Sequence, residues 1–178
     1  MQHQTIRNSG RRQLTIILLM ALFSFGGSYL LFFSAKSGPG WGTTNNGAFV
    51  QPPVTVQQLD WRSIENVPLS TSGQWWLWTV SDRCPDSCQQ ALQKLRAAHI
   101  LLNREAKRVR RGLSTIENFD TPEDQPDLVL INVGGDRVDD GIYIVDPNGN
   151  LVFSYPLDID PKLLLADLKR LLKVSQIG

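Results

Sequence analysis

Two cysteines set the chemistry open to this sequence. Cys84 and Cys88 are the only thiols in 178 residues, and they stand four apart in Ser81-Asp82-Arg83-Cys84-Pro85-Asp86-Ser87-Cys88. Across one helical turn the Cα atoms are about 6 Å apart, inside the range a disulfide accepts. The spacing therefore serves two states: an oxidised bridge, or a reduced pair of soft sulfur donors suited to copper. Two cysteines are too few for a disulfide-dense scaffold or a four-thiolate zinc site. With His3 and His99 as its only histidines, the chain also lacks a multi-histidine metal centre.

A thiol pair is reactive only where the chain puts it. Trp75-Trp76-Leu77-Trp78-Thr79-Val80 is a short apolar run bounded by Gly73 and Asp82. It reads as a strand buried on both faces, with helices packed on each side and its tryptophans in the core. After the cysteine segment, Cys88, Leu92, Leu95, His99, Leu102 and Ala106 recur at spacings of three and four, the stripe of a long helix. Pro85 suits the first helical position, where its missing N–H costs nothing. Cys84 thus falls where free backbone N–H groups carry the positive end of the dipole, which lowers a thiol's pKa below its free value of about 8.5. Arg83 works in the same direction, and Asp82 and Asp86 work against it. Cys84 is the expected attacking thiolate of a disulfide exchange, and Cys88, one turn deeper, the resolving thiol. As a structural staple the bridge is poor, because closing so short a loop removes little chain entropy.

The remaining elements are read by pattern. Val109 to Glu117 is a second strand interrupted by Gly112, and Leu128 to Val133 a third after the loop Thr121 to Pro126. Gly141 to Val145 and Leu151 to Tyr155 form a hairpin about Asp146-Pro147-Asn148-Gly149. Asp160-Pro161 starts a final helix whose buried face is Leu164, Leu165, Leu168, Leu171 and Leu172. Strand, long helix, strand, hairpin and terminal helix describe an α/β, thioredoxin-like sandwich.

Ahead of it the composition changes twice. Leu14 to Phe33 is twenty residues without a charge, about 30 Å as a helix and so the thickness of a bilayer's hydrocarbon core. Arg7, Arg11 and Arg12 precede it, and only Lys36 comes after it before Arg62. That asymmetry places the N-terminus in the cytoplasm. Small-x-small sites are poor, so an uncleaved anchor is expected over a signal peptide. Lys36 to about Gln58 carries Gly38, Pro39, Gly40, Gly42, Asn45, Asn46, Gly47 and Pro52-Pro53, the composition of a flexible tether. The expected organisation is a cytoplasmic tail (1–12), a transmembrane anchor (13–34), a linker (35–58) and a thioredoxin-like domain (59–178). In a bacterium this is a single-pass inner-membrane protein with its C-terminal domain in the periplasm, where a disulfide can form. The first 35 residues carry three arginines and no acid, leaving fifteen basic and seventeen acidic residues for the rest. No nucleic-acid partner is expected from so balanced a charge.

The strand–Cys-Pro-Asp-Ser-Cys–helix segment, Trp76 to Cys88, resembles the Sco/SenC group of thioredoxin-like proteins. Gly141-Ile142-Tyr143-Ile144-Val145-Asp146-Pro147-Asn148-Gly149 is similar to that family's strand and turn before its last strand. The N-terminal anchor is typical of it as well. The stretch from Asp160 to Gly178 looks like small anchored proteins encoded among proteobacterial oxidase genes, a divergent Sco-like branch. The resemblance implies work in cytochrome c oxidase assembly, delivering copper to subunit II or keeping its cysteines reduced, with subunit II or other assembly factors as partners. Members of the group bind copper through the two cysteines and a histidine. Here the histidine's place holds Val138-Asp139-Asp140, and Asp140 aligns best with it. A carboxylate is a hard donor that suits Cu(I) poorly.

His99 cannot replace it, since it stands about 16 Å along the helix from Cys88. It is expected to be a partly buried helix residue. The basic cluster Arg104, Lys107, Arg108, Arg110 and Arg111 reads as the solvated far end of that helix, with lipid phosphates or an acidic partner as the functional alternative. Three readings stay open: a thiol–disulfide oxidoreductase using Cys84 and Cys88, a copper metallochaperone using the same pair with Asp140, and a non-catalytic assembly scaffold whose disulfide is structural.

Overall fold

The computed structural model describes residues 3–37, 44–117 and 119–175. The chain divides into two compact units, Met1–Thr44 and Asn45–Gly178. The first is one helix, α1 (His3–Ser37), so most of the expected tail 1–12 is helical too. Its stretch Gly10–Ser34 has a mean hydropathy of 2.2 and is long and apolar enough to cross a membrane. The hydroxyls of Thr15 and Ser24 donate to the carbonyls four residues back, which satisfies these groups without water. Of the expected tether, Gly38, Pro39, Gly40 and Gly42 lie outside the described residues, as do Gln176, Ile177 and Gly178 at the other end.

The second unit is a seven-stranded sheet with helices on one face. Its strands are β1 (Ala48–Phe49), β2 (Trp61–Ser63), β3 (Trp75–Val80), β4 (Val109–Ser114), β5 (Leu128–Val133), β6 (Gly141–Val145) and β7 (Leu151–Tyr155). They lie in the order β1-β7-β6-β3-β4-β5-β2. β3, β4 and β5 run parallel, and β6, β7 and the two short edge strands pair antiparallel. Helices α2 (Asp86–Ile100) and α3 (Pro161–Val174) cover one face, where Leu77, Ala91, Leu95, Ile144, Leu164 and Leu168 share a core. This is the thioredoxin-like architecture, with one apolar helix in front of it.

Three expectations need correction. The first is the tether, which does not run to residue 58. Asn46 and Gly47 are fixed by backbone N–H donation to Asp167 at 2.6 and 3.0 Å, and β1 pairs with β7. Val56 and Leu59 are buried. Gly47 must be glycine, because a Cβ there would stand 2.5 Å from the Tyr155 ring. The polar and proline-rich composition hid a set of apolar residues with a surface to cover. That surface is the second correction: among the described residues no helix packs on the other face of β3. Trp61, Trp76 and Trp78 meet edge to face there, with Trp61 at 5.6 and 4.8 Å from the other two rings, and Val56, Leu59 and Leu151 complete the layer. Large rings in offset contact fill the depth that a helix would otherwise occupy.

The third concerns α2, which ends at Ile100 although the apolar spacing continues. Leu102 donates its N–H to the His99 carbonyl at 3.1 Å, a tightened last turn, and Asn103 takes a left-handed φ of 52°. A short 3-10 helix, Asn103–Arg108, then turns the chain into β4. His99 is half-buried, as expected, with Nε2 2.9 Å from the carbonyls of both Ala106 and Val109. The basic cluster is therefore not one helix end. Arg110 and Arg111 belong to β4, with Arg110 over the Trp76 ring at 5.0 Å. Arg111 is buried, donating to Gln125 at 2.7 Å and Asp127 at 2.8 Å. Burial alone would raise the Asp127 carboxyl, but Arg111, with a smaller share from His99, more than offsets it and holds the group below the usual carboxylate range.

Candidate functional site

The parallel strands deliver their C-terminal ends to one rim of the sheet, and the cysteine segment leaves from it. Ser81 N–H donates to the Ser114 carbonyl at 3.0 Å, carrying the β3–β4 ladder one residue further. The Ser81 hydroxyl donates to the Arg83 carbonyl and stands 3.2 Å from Asp140 Oδ2. Asp82 N–H donates to Asp140 Oδ1 at 3.2 Å, and the Asp82 carbonyl accepts from Ile116 N–H and the Thr115 hydroxyl, both at 3.2 Å. Residues 81–83 are thus stapled on both sides, from the end of β4 and from the chain entering β6. The thiol pair next in the chain starts from a fixed point.

Cys84 and Cys88 are joined in a disulfide with Cα atoms 5.0 Å apart. Cys88 is fully buried against Leu92, Leu113 and Leu128, whereas Cys84 is half-buried at the edge of the same cluster. Pro85 is the residue that caps α2, not its first helical residue, and its side chain makes no capping hydrogen bond. Among the described residues no side chain is seen to accept from the first N–H groups of the helix, and Cys84 stands just ahead of them in the chain. A thiolate formed at Cys84 would be stabilised by those groups and by the dipole behind them. Of the flanking charges, Arg83 faces Glu117 at 3.7 Å and Asp82 faces Arg137 at 3.4 Å, both pairs exposed. Screened pairs of this kind add little, which leaves the helix terminus to favour the thiolate and Asp86 in its first turn to oppose it.

Asp140 is close to the segment, yet both of its oxygens are engaged by Ser81 and Asp82. Among the described residues no group of three or more His, Cys, Asp or Glu is gathered closely enough to hold a metal ion. The neighbouring Tyr143 donates its hydroxyl to the Asp139 carbonyl at 2.9 Å. Burial first, then the charges of Asp139 and Asp140, push its phenol up to about 12.

Two clefts lie against β4 and β5. One of 280 Å³ has Trp78 in its lining, with Asp82, Ser114 and Arg137 around it. The other, of 650 Å³, runs over Leu113, Phe119 and Leu130 to Ile116 and Ile64. Leu113, Phe119 and Leu130 belong to the cluster that also holds both cysteines. Sequence reasoning missed these walls. The available signal was an isolated apolar residue, Ile116, at 62% exposure in a polar stretch after β4.

A family model described as "Transmembrane-like, thioredoxin-like, C-terminal domain" matches residues 75–175. No curated protein matches the chain. Among solved structures, Arabidopsis thaliana ScoI with copper bound is 15% identical and superposes with a TM-score of 0.50 over 72% of this chain and 99% of that one. Yeast Sco1 with copper bound gives 15% identity and a TM-score of 0.49 over 74% and 90%. Bradyrhizobium japonicum ScoI with copper bound gives 20% identity and a TM-score of 0.43 over 70% and 98%. At these identities the likeness is one of fold. The family match spans β3, the cysteine pair and α3, and on that ground the chain belongs to the transmembrane-like, thioredoxin-like family, with the fold of the Sco/SenC proteins.

Proposed function

We propose that the protein is a membrane-tethered thiol–disulfide protein that assists cytochrome c oxidase maturation by reducing cysteines of subunit II or of another assembly factor. One observation carries the reading: half-exposed Cys84 is bridged to buried Cys88 at a helix start that no side chain caps. In the reduced protein the Cys84 thiolate attacks one sulfur of a client disulfide, expelling the other as a thiolate and forming a mixed disulfide. Cys88, deprotonated, then attacks the Cys84 sulfur. The client leaves with two thiols and this chain keeps the disulfide. The cycle closes when another dithiol protein reduces the bridge. The oxidase and the periplasmic face of a bacterial inner membrane come from the motif resemblance, the basic tail and the span Gly10–Ser34.

As cargo, Cu(I) finds two soft donors in the reduced pair. The third place is filled by Asp140, a hard donor already engaged by Ser81 and Asp82. A three-ligand copper centre does not fit these residues, so exchange rather than metal delivery is the function assigned. X-ray absorption of the Cu(I)-loaded reduced protein should accordingly show sulfur donors only, with no oxygen ligand from Asp140. Strains carrying Cys84→Ser or Cys88→Ser should assemble the oxidase poorly at limiting copper. Normal assembly in both would contradict the reading, and a reduction potential below about −300 mV with unreactive thiols would make the bridge structural.

A further inference from the structure

We propose that the face formed by the 3-10 helix and the last turns of α3 docks on an anionic phospholipid surface; this rests on the tethered reading above. The two elements are fastened together by Arg108, whose guanidinium donates to the carbonyls of Leu172 at 3.0 Å and Ser175 at 2.9 Å. Arg108 also takes up Glu105 at 2.6 Å. Lys169 and Lys173 of α3 border that joint, and the 3-10 helix carries Arg104 and Lys107 next to it in the chain; all four are exposed. Lys169 and Lys173 line one depression of 460 Å³ together with Glu105 and Arg108. Among the described residues these four outer cations join no salt bridge. Next in the chain to these elements, Leu101 just before the 3-10 helix and Val174 at the end of α3 are exposed at 58% and 79%. Cations interleaved with exposed apolar residues match the headgroup region of a bilayer, where each basic residue adds to the attraction.

The tether selects lipid over an acidic protein. Asn46 is clamped to α3, its side chain donating to Asp167 at 3.0 Å and to the Leu163 carbonyl at 3.2 Å. The chain therefore enters the folded unit on the same helix that carries the basic face, and Lys173 is only about 9 Å of helical rise beyond Asp167. From Ser37 to Asn45 the chain can extend at most about 28 Å. A surface that close presents its headgroups at high effective concentration, so even a modest attraction is realised.

The full chain in nanodiscs tests this by lysine acylation read by mass spectrometry. In phosphatidylglycerol discs Lys107, Lys169 and Lys173 should react about threefold more slowly than in phosphatidylcholine discs. The difference should vanish at about 0.5 M salt, where the screening length falls to about 4 Å, while Lys94 and Lys162 stay unchanged throughout. The Lys169→Glu/Lys173→Glu variant should lose the shielding of Lys107. Equal labelling in the two lipids overturns the proposal, and it is the result expected if an acidic protein is the true occupant. A chain that fails to enter discs of either lipid contradicts the anchor instead. The same labelling with added vesicles of each lipid then still decides the basic face.

Discussion

The two long helices of the folded unit begin in opposite ways. At α3 the Asp160 side chain accepts from Lys162 N–H at 2.9 Å and Pro161 occupies the first turn. At α2 a proline sits in the capping place and supplies no acceptor. The polar groups along α3 are satisfied as well: Asp167, buried at 1% exposure, accepts from Asn46, Gly47 and the Tyr155 hydroxyl. One helix start is closed and contributes stability. The other is left open, and the only two thiols of the chain stand at it. The open start is where Cys84, the thiol proposed to react, is placed.

Breaking each start should therefore cost different things. Cys84→Ser should abolish disulfide exchange with a dithiol substrate and leave the secondary structure seen by circular dichroism unchanged. Cys88→Ser should trap the mixed disulfide, visible as a covalent adduct on a non-reducing gel. Next in size, Asp167→Ala strands several buried donors and should lower unfolding stability by about 3 kcal/mol in urea titration. Burial first, and then the bond to Asp167, raise the Tyr155 phenol above its usual value. An acid whose folded pKa is raised contributes stability that is complete below the unfolded pKa and declines as pH climbs through it. Wild-type stability should accordingly fall above about pH 10, and Tyr155→Phe should flatten that decline.

Smaller effects sharpen the contrast. Asp160→Ala removes the α3 cap and should cost about 1 kcal/mol without touching exchange rates. Pro85→Asp supplies the acceptor that α2 lacks. It should stabilise the protein by about 0.5 kcal/mol, measured by thermal unfolding, and slow Cys84 alkylation because the N–H groups are then shared with a carboxylate.

Much of this arrangement was legible in the residues. β3, β5, the β6–β7 hairpin and the start of α3 emerge from periodicity and turn chemistry, and so does the pairing of Cys84 with Cys88. The rest depends on partners distant in the chain. β1 and β2 have two and three residues and exist only because β7 and β5 offer edges to them. Leu102 and Ala106 pack with the α2 stripe although they lie beyond the end of α2, so spacing alone could not show where α2 stops. The resemblance aligns Asp140 with a copper-binding histidine whose place a carboxylate fills poorly, whereas Ser81 and Asp82, nearly sixty residues earlier, make it a clamp on the cysteine loop.

The most direct measurement is the pH dependence of alkylation of the reduced protein, with each thiol resolved by mass spectrometry. Cys84 should react first, with a midpoint below the free-thiol value of about 8.5. A Cys84 midpoint at or above that value, or prior reaction at Cys88, would contradict the assignment of the open helix start as the reactive one.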